Sequence, residues 1–272
     1  MPTIEANGQT LYYEEIGEGE PLLCVMGLAA DTLAWALQVN DFSSRHRMII
    51  FDNRDVGQSS RAEGPYEIAD MAQDALALAD GLGIDSFHLL GVSMGGAIAQ
   101  EMALAAPERL RTLTLAVTFA GLGAYARTRT RVWGAQVARA PLEEYVDNLM
   151  LLTLSEQFFE NTEMVEYVRN MMLSNPHPQE PEAFARQADA SSRHDVRDRL
   201  GSLTGMPVHV IGAERDILVP VWKSEEVRDL IPGCKYTVMK AAPHGVQLER
   251  AAEFNDVVLD FVAEQAKAPA AS

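Results

Sequence analysis

The feature that most constrains this chain is Gly91-Val92-Ser93-Met94-Gly95. It lies between an apolar run, Phe87 to Leu90, and a helix-like run, Ala97 to Ala106, that stops at Pro107. Proline cannot continue a helix interior, because it lacks an N–H and its ring meets the preceding turn. A serine between glycines at such a junction sits on a sharp strand-to-helix turn, with its hydroxyl thrust out at the end of a sheet. Gly91 and Gly95 leave room where strand and helix nearly touch, since a strained backbone tolerates no bulky neighbours there. Met94 opens the helix, so its N–H has no intrahelical acceptor and is free for an oxyanion developing beside the serine. Taken alone, the five residues also fit a glycine-rich turn with a solvated serine. The strand before and the helix after make Ser93 a candidate nucleophile.

The flanking pattern extends along the chain. Asn7-Gly8 between short strand-like runs, Ile4 to Ala6 and Gln9 to Glu14, predicts a hairpin. Leu22 to Met26 is an uninterrupted apolar run of the kind buried on both faces of a parallel sheet. A loop and helix follow around Trp35, then a strand over Arg47 to Phe51. Ile68, Met71, Ala72, Ala75, Ala79 and Leu82 keep a 3.6-residue period, which predicts a helix over Tyr66 to Leu82 that ends at Gly83. Strands are expected over Ser86 to Leu90 and Leu110 to Thr118. The alternation then stops: Gly121 to Leu200 shows helix-like segments and no convincing strand. It resumes with strands at Val208 to Gly212 and Cys234 to Met239, and helices at Lys223 to Leu230 and Leu248 to Ala266. The tail Ala268 to Ser272 is expected to fray. This pattern predicts an α/β fold, with a mostly parallel central sheet flanked by helices and a helical cap inserted after the sixth strand. The core domain is expected over residues 1–120 and 201–272, and the cap over 121–200. Leu149 to Leu152, Phe158-Phe159 and Met171-Met172 make the cap too apolar to be disordered.

Composition limits the partners. With 39 acidic against 22 basic side chains the net charge is −17, which argues against nucleic acid and anionic membranes. No apolar run has transmembrane length, and the first residues are neither basic nor apolar enough for a signal peptide. The two cysteines, Cys24 and Cys234, fall in predicted buried strands and read as core thiols in a reducing compartment, so a cytoplasmic location is expected. A monomer or homodimer is expected. No cofactor and no metal is implied: there is no dinucleotide-type glycine loop at a first βα turn and no ligand-spaced His/Cys/acid cluster.

A serine hydroxyl needs a base to take its proton. Of six histidines, His88 and His209 lie within strands and read as satisfied core or edge residues. His46 precedes a strand, His177 sits between prolines, and His194 lies in a charged stretch. His244, in Ala241-Ala242-Pro243-His244-Gly245, follows the last strand at the carboxyl edge of the sheet, where α/β folds build sites. Its orienting carboxylate should end an intervening strand. Glu214 and Asp216 both do so. Asp216 is preferred because Ile217-Leu218-Val219-Pro220 can bury it, while Arg215 suits a surface Glu214. Asp189 and Asp195 belong to the helical segment. A second oxyanion donor should come from the loop after an early strand, which points to the N–H of Leu28, beyond the tight turn that Gly27 permits.

Together these motifs resemble the α/β-hydrolase superfamily, serine carboxylesterase-like first and 3-oxoadipate enol-lactonase-like second. Phe51-Asp52-Asn53-Arg54-Asp55-Val56-Gly57-Gln58-Ser59 is similar to its D-x-R-G-x-G-x-S loop. Two positions depart: Met26-Gly27 replaces the usual His-Gly, and Asp55 stands where glycine is usual. Asp52 and Arg54 are expected to brace the oxyanion loop. Serine at the elbow argues against the epoxide-hydrolase and haloalkane-dehalogenase branches, which use aspartate. The resemblance implies a Ser93–His244–Asp216 triad with an oxyanion hole at Leu28 and Met94, cleaving a small-molecule ester of short to medium acyl or aryl type. The alternatives are a lactonase or carbon–carbon bond hydrolase, and a ligand receptor that retains a triad. Arg127, Arg129 and Arg131 read as a solvated helix face, or else as a site for an anionic substrate.

Overall fold

Asn7 and Gly8 adopt φ of 50° and 75°, the left-handed pair of a tight hairpin turn, and join β1 (Thr3–Ala6) to an antiparallel β2 (Gln9–Ile16). β2 also pairs antiparallel with β4 (Arg47–Phe51). Every later pairing is parallel: β3 (Pro21–Val25) with β4 and with β5 (Phe87–Val92), β5 with β6 (Leu110–Ala116), β6 with β7 (Val208–Ala213), and β7 with β8 (Lys235–Met239). The resulting sheet, order β1-β2-β4-β3-β5-β6-β7-β8, comes from a computed structural model that describes residues 2–266. The expected fraying of Ala268 to Ser272 lies outside those residues.

The apolar runs are buried on both faces because side chains alternate along a strand. Leu23, Val25, Ile49, Phe87 and Leu89 pack toward α2 (Ile68–Gly81), α3 (Met94–Ala105) and α9 (Val221–Leu230). Their neighbours Leu22, Cys24, Ile50 and Leu90 pack on the other side against Trp35, α1 (Val39–Ser43) and the C-terminal helices. Between β6 and β7 the chain is helical: α4 (Ala124–Val137), α5 (Leu142–Thr153), α6 (Glu156–Phe159), α7 (Thr162–Leu173) and α8 (Pro181–Arg193). It leaves and returns side by side, through a bridge between Gly121 and Asp195 and a 2.9 Å bond from Val196 N–H to the Ala120 carbonyl. Trp133 and Val137 of α4 pack on Phe184 and Ala188 of α8, and Val146 and Met150 of α5 pack on Val168 and Met172 of α7. No helix among the described residues is long and apolar enough to cross a membrane.

Three expectations are corrected. α2 begins at Ile68 rather than Tyr66, because Glu67 and Asp70 form a reciprocal cap in which the Glu67 N–H donates to the Asp70 carboxylate. The C-terminal helix is two, α10 (Val246–Glu249) and α11 (Ala251–Ala266), broken at Arg250. Cys24 is buried in β3 as expected, but Cys234 is half-buried in the turn before β8.

Candidate active site

Ser93 stands between β5 and α3 at φ 58° and ψ −122°, a backbone conformation that a non-glycine residue holds only when its surroundings enforce it. Its N–H donates to the Ala116 carbonyl at 2.9 Å, and its own carbonyl accepts from Thr118 Oγ1 at 2.6 Å and from Gly96 N–H at 2.9 Å. Val117, β-branched at φ 45°, is strained as well, and the chain continues directly into Thr118. The glycines make this approach possible. A Cβ on Gly95 would overlap the Val25 carbonyl and lie 2.8 Å from the Met26 oxygen, and one on Gly91 would run into Gly95. One on Gly27 would stand 3.0 Å from Ser93 Cβ and 3.4 Å from its Oγ. Met94 is the first residue of α3, and Leu28 follows Gly27, so both residues border the space over Ser93.

His244 comes from the loop between β8 and α10. Its Nε2 lies 3.0 Å from Ser93 Oγ, and its Nδ1 donates to Asp216 Oδ2 at 2.6 Å. A carboxylate accepting at Nδ1 fixes the tautomer and leaves Nε2 free to accept from the hydroxyl. Asp216, in the loop after β7, is itself held: its Oδ1 accepts from the N–H groups of Leu218 at 2.8 Å and Val219 at 2.7 Å. Both rings of contact are secluded, with His244 7% and Asp216 5% exposed. Glu214 points away, to Lys240 Nζ and the Ala241 N–H. Asp195 pairs with Arg197, and Asp189 with Arg193. The other histidines lie elsewhere. His88 bonds Thr112 and Glu20, and His209 bonds Thr237.

The loop from Met26 to Asp31 is braced from below. Asp52 accepts from Thr32 N–H and Gln58 N–H, both at 2.8 Å, beneath a Gly57 that has no side chain to displace it. Burial raises the Asp52 pKa to about 6, against the pull of those donors. Arg54 does not brace the loop with its side chain, which turns to Asp74 on α2 in a buried two-point pair. Asn53 takes the role instead, donating from Nδ2 to the Met26 carbonyl at 3.0 Å. From above, Gln187 of α8, fully buried, accepts from the Ala29 N–H at 3.2 Å and donates to the Arg54 carbonyl at 2.9 Å. Asp55 explains its own departure from glycine. At φ 70° it takes a backbone that Asp tolerates, and its buried carboxylate accepts both arms of Arg186 of α8, the Tyr66 hydroxyl and the Ala62 N–H. Burial and that carboxylate push the Tyr66 phenol pKa up.

Above Ser93 lies a cavity of about 240 Å³, walled by Met26, Leu28, Trp133, Leu149, Met150 and Met172 among others. Arg129 also borders it, and this corrects the solvated-face reading for that residue: its guanidinium is half-buried on the carbonyls of Ile217 and Leu218. Asn53, Thr118, Gln187 and Arg129 escape sequence reasoning. Each acts through a backbone group on a distant loop, and no local pattern announces such a contact.

The comparisons with known proteins agree with this fold. The profile of the α/β-hydrolase fold matches residues 20–251. A proposed carbamate hydrolase, RutD, from Azorhizobium caulinodans is 28% identical over 265 residues, covering 97% of this chain and 99% of its own. The thermophilic esterase of Thermogutta terrifontis superposes with a TM-score of 0.86 at 26% identity, over 97% of this chain and 99% of its own. The enol-lactonase of Burkholderia xenovorans LB400 superposes with a TM-score of 0.87 at 25% identity, over 96% of this chain and 100% of its own. With the family profile spanning β3 to β8, the elbow and the loop of His244, this chain belongs to the α/β-hydrolase family.

Proposed function

We propose that this hydrolase cleaves carboxylic esters with short to medium acyl or aryl groups, through an acyl-enzyme on Ser93. The observation that carries the reading is the unbroken chain Asp216–His244–Ser93, with links of 2.6 and 3.0 Å, opening into an apolar cavity. In this mechanism His244 Nε2 takes the proton of Ser93 Oγ as that oxygen attacks the ester carbonyl. Asp216 stabilises the imidazolium without taking its proton. The N–H groups of Leu28 and Met94 hold the oxyanion, a contribution whose loss at one donor costs roughly 100-fold or more. His244 then protonates the leaving alcohol, and water repeats the sequence on the acyl-enzyme. The helical segment serves as a cap over the site: its Met and Leu side chains make an adaptable apolar lining that suits acyl chains better than charged groups. The likeness to an enol-lactonase along nearly the whole chain supports a second reading, in which the scissile ester is internal to a ring. The chemistry on Ser93 is the same, but no alcohol leaves.

The test is hydrolysis of a p-nitrophenyl ester series by the wild type and by Ser93→Ala. Activity is expected to fall by about 1,000-fold or more in the variant, and undiminished turnover would end this reading. Comparing kcat/KM for linear esters and for lactones of matched size separates the two readings.

A further inference from the structure

We propose that Arg129 is a positioning residue for the Asp216–His244 pair and acts on it through two peptide groups rather than by contact. This rests on the reading of Ser93, His244 and Asp216 as the reacting groups. Arg129, on α4, donates from Nη1 to the Ile217 carbonyl at 3.1 Å and from Nη2 to the Leu218 carbonyl. The Ile217 carbonyl shares its peptide unit with the Leu218 N–H, and the Leu218 carbonyl shares its unit with the Val219 N–H. Those two N–H groups are the ones that donate to Asp216 Oδ1, at 2.8 and 2.7 Å. A trans peptide points its N–H and C=O in opposite directions, so each unit has a cation at its oxygen end and a carboxylate at its hydrogen end. Hydrogen bonds in such a chain polarise one another, and a low-dielectric setting strengthens them.

Two planar units, each gripped at both ends, fix the rotation of the Asp216 carboxylate. They also carry part of the Arg129 charge toward it. The remaining oxygen, Oδ2, is thereby aimed at His244 Nδ1, 2.6 Å away. The groups facing Arg129 are Tyr125 on the same helix and Asp216 on the loop. Burial works against the Arg129 charge, and those two groups work for it. The neighbouring arginines do not share this role. Arg127 turns to the Leu122 carbonyl at the start of its own helix, and Arg131 lines the outer groove of α4 and α5. Two of the Arg129 arms are committed to carbonyls, which also makes it a poor receptor for an anionic substrate.

The experiment compares Arg129→Gln, which keeps a donor and loses the charge, with Arg129→Lys, which keeps the charge. Two quantities are read: the pH profile of kcat/KM on a p-nitrophenyl ester, and the titration of the His244 imidazole followed by NMR without substrate. In Arg129→Gln the acidic limb and the imidazole titration are expected to move up together by about half a unit, because a positive charge has been removed from the far side of Asp216. kcat is expected to fall about ten-fold with little change in KM. Arg129→Lys is expected to keep the wild-type titration and most of kcat. A wild-type titration in Arg129→Gln overturns the inference, and so does an equal loss of kcat in Gln and Lys with no displacement in either. If Arg129→Gln does not fold, Arg129→Met takes its place. If neither folds while Lys does, the inference is also overturned, since the charge then serves folding and not the site. The NMR titration needs no turnover, so a protein without esterase activity that still shows the displacement would sink the proposed function and leave this inference standing.

Discussion

The sheet and the helical segment above it hold together by different means. The sheet is sealed on both faces by two apolar clusters whose members are almost fully buried, and its register follows from strict alternation along β3, β4 and β5. The helices α4 to α8 have small apolar clusters and leave Tyr125, Leu151, Met164 and Tyr167 exposed. Directional polar contacts fasten them to the sheet, and these end on the loops that carry the candidate site. Gln187 and Arg186 hold the loops after β3 and β4, and Arg129 holds the loop after β7. The Thr153 carbonyl takes the Gly245 N–H beside His244, and Ser155 bonds Glu249 on α10. Apolar burial therefore sets where the candidate site residues stand, and a few hydrogen bonds fasten the helices that cover them.

The largest expected effect breaks the sheet side. Gly95→Ala places a methyl group on the Val25 and Met26 carbonyls, which cannot swing away as a flexible side chain can. Overpacking of this kind costs about 1–3 kcal/mol. Because it also displaces the Met26 to Leu28 loop, esterase activity is expected to drop about 100-fold or more. Urea unfolding and p-nitrophenyl ester kinetics on the same sample check both. Near-normal activity would mean that the elbow does not depend on that close approach.

The next effect tests a fastening. Arg186→Met leaves the fully buried Asp55 carboxylate with only Tyr66 and Ala62 as donors. Breaking a buried pair by removing one partner costs on the order of 3 kcal/mol. Arg169→Met, which breaks a half-exposed pair with Asp147 between α5 and α7, leaves a carboxylate that water still reaches and is expected to change stability little. Equal melting temperatures for the two variants would contradict the view that loop-directed contacts, rather than pairs within the helices, fasten the segment.

The same contrast explains what could be read in advance. The parallel strands, the elbow and the order Ser93, Asp216, His244 were legible because each is a local pattern: an apolar run, a glycine spacing, an acid or histidine at a strand end. The choice of Asp216 over Glu214 also rested on local sequence, the apolar Ile217 to Pro220 turn. Arg129 was misjudged because Arg127, Arg129 and Arg131 cluster in sequence, although a two-residue step turns Arg129 to the opposite side of a helix, where it meets a loop some 90 residues away. Asp55 was seen as a departure from glycine, but its reason, Arg186, lies 131 residues further on. The bracing role given to Arg54 belongs to Asn53 next to it, a distinction of side-chain direction that spacing alone does not encode.

A smaller effect concerns the cavity. Leu149 lines it from α5 and is only partly buried, so shortening it widens the space at little cost to the fold. Leu149→Ala is expected to shift the kcat/KM preference toward a longer acyl ester by about ten-fold, the scale of a methylene or two in an apolar pocket. kcat on the acetate ester should stay within a few-fold of wild type. A preference that does not move would place the acyl group elsewhere.

The smallest effect compares one buried histidine from each region. His209 sits in β7, and His194 ends α8 where the helical segment returns to the sheet. Burial first, then Lys235 for His209 and Arg199 for His194, lowers each pKa from the ordinary 6.5 to about 4. Thr237 occupies one ring nitrogen of His209, while Glu101 lies 3.7 Å from His194 Nδ1. Between those two pH values the unfolded chain binds the proton and the folded chain does not. Stability therefore falls as the pH drops from 6.5 toward 4, by on the order of 1 kcal/mol per histidine at pH 5.5. Replacing either with Phe should remove its share of that slope and leave the other's. The regions differ in where the loss shows. Protonating His194 threatens only the polar seam at the foot of α8, so amide exchange there should quicken by about ten-fold at pH 5.5 while β7 stays protected. Protonating His209 puts a charge inside the sheet, and its cost should appear as global unfolding. Uniform exchange across both elements would mean that the helical segment and the sheet open as one unit, and that the polar fastenings bind as tightly as the apolar core.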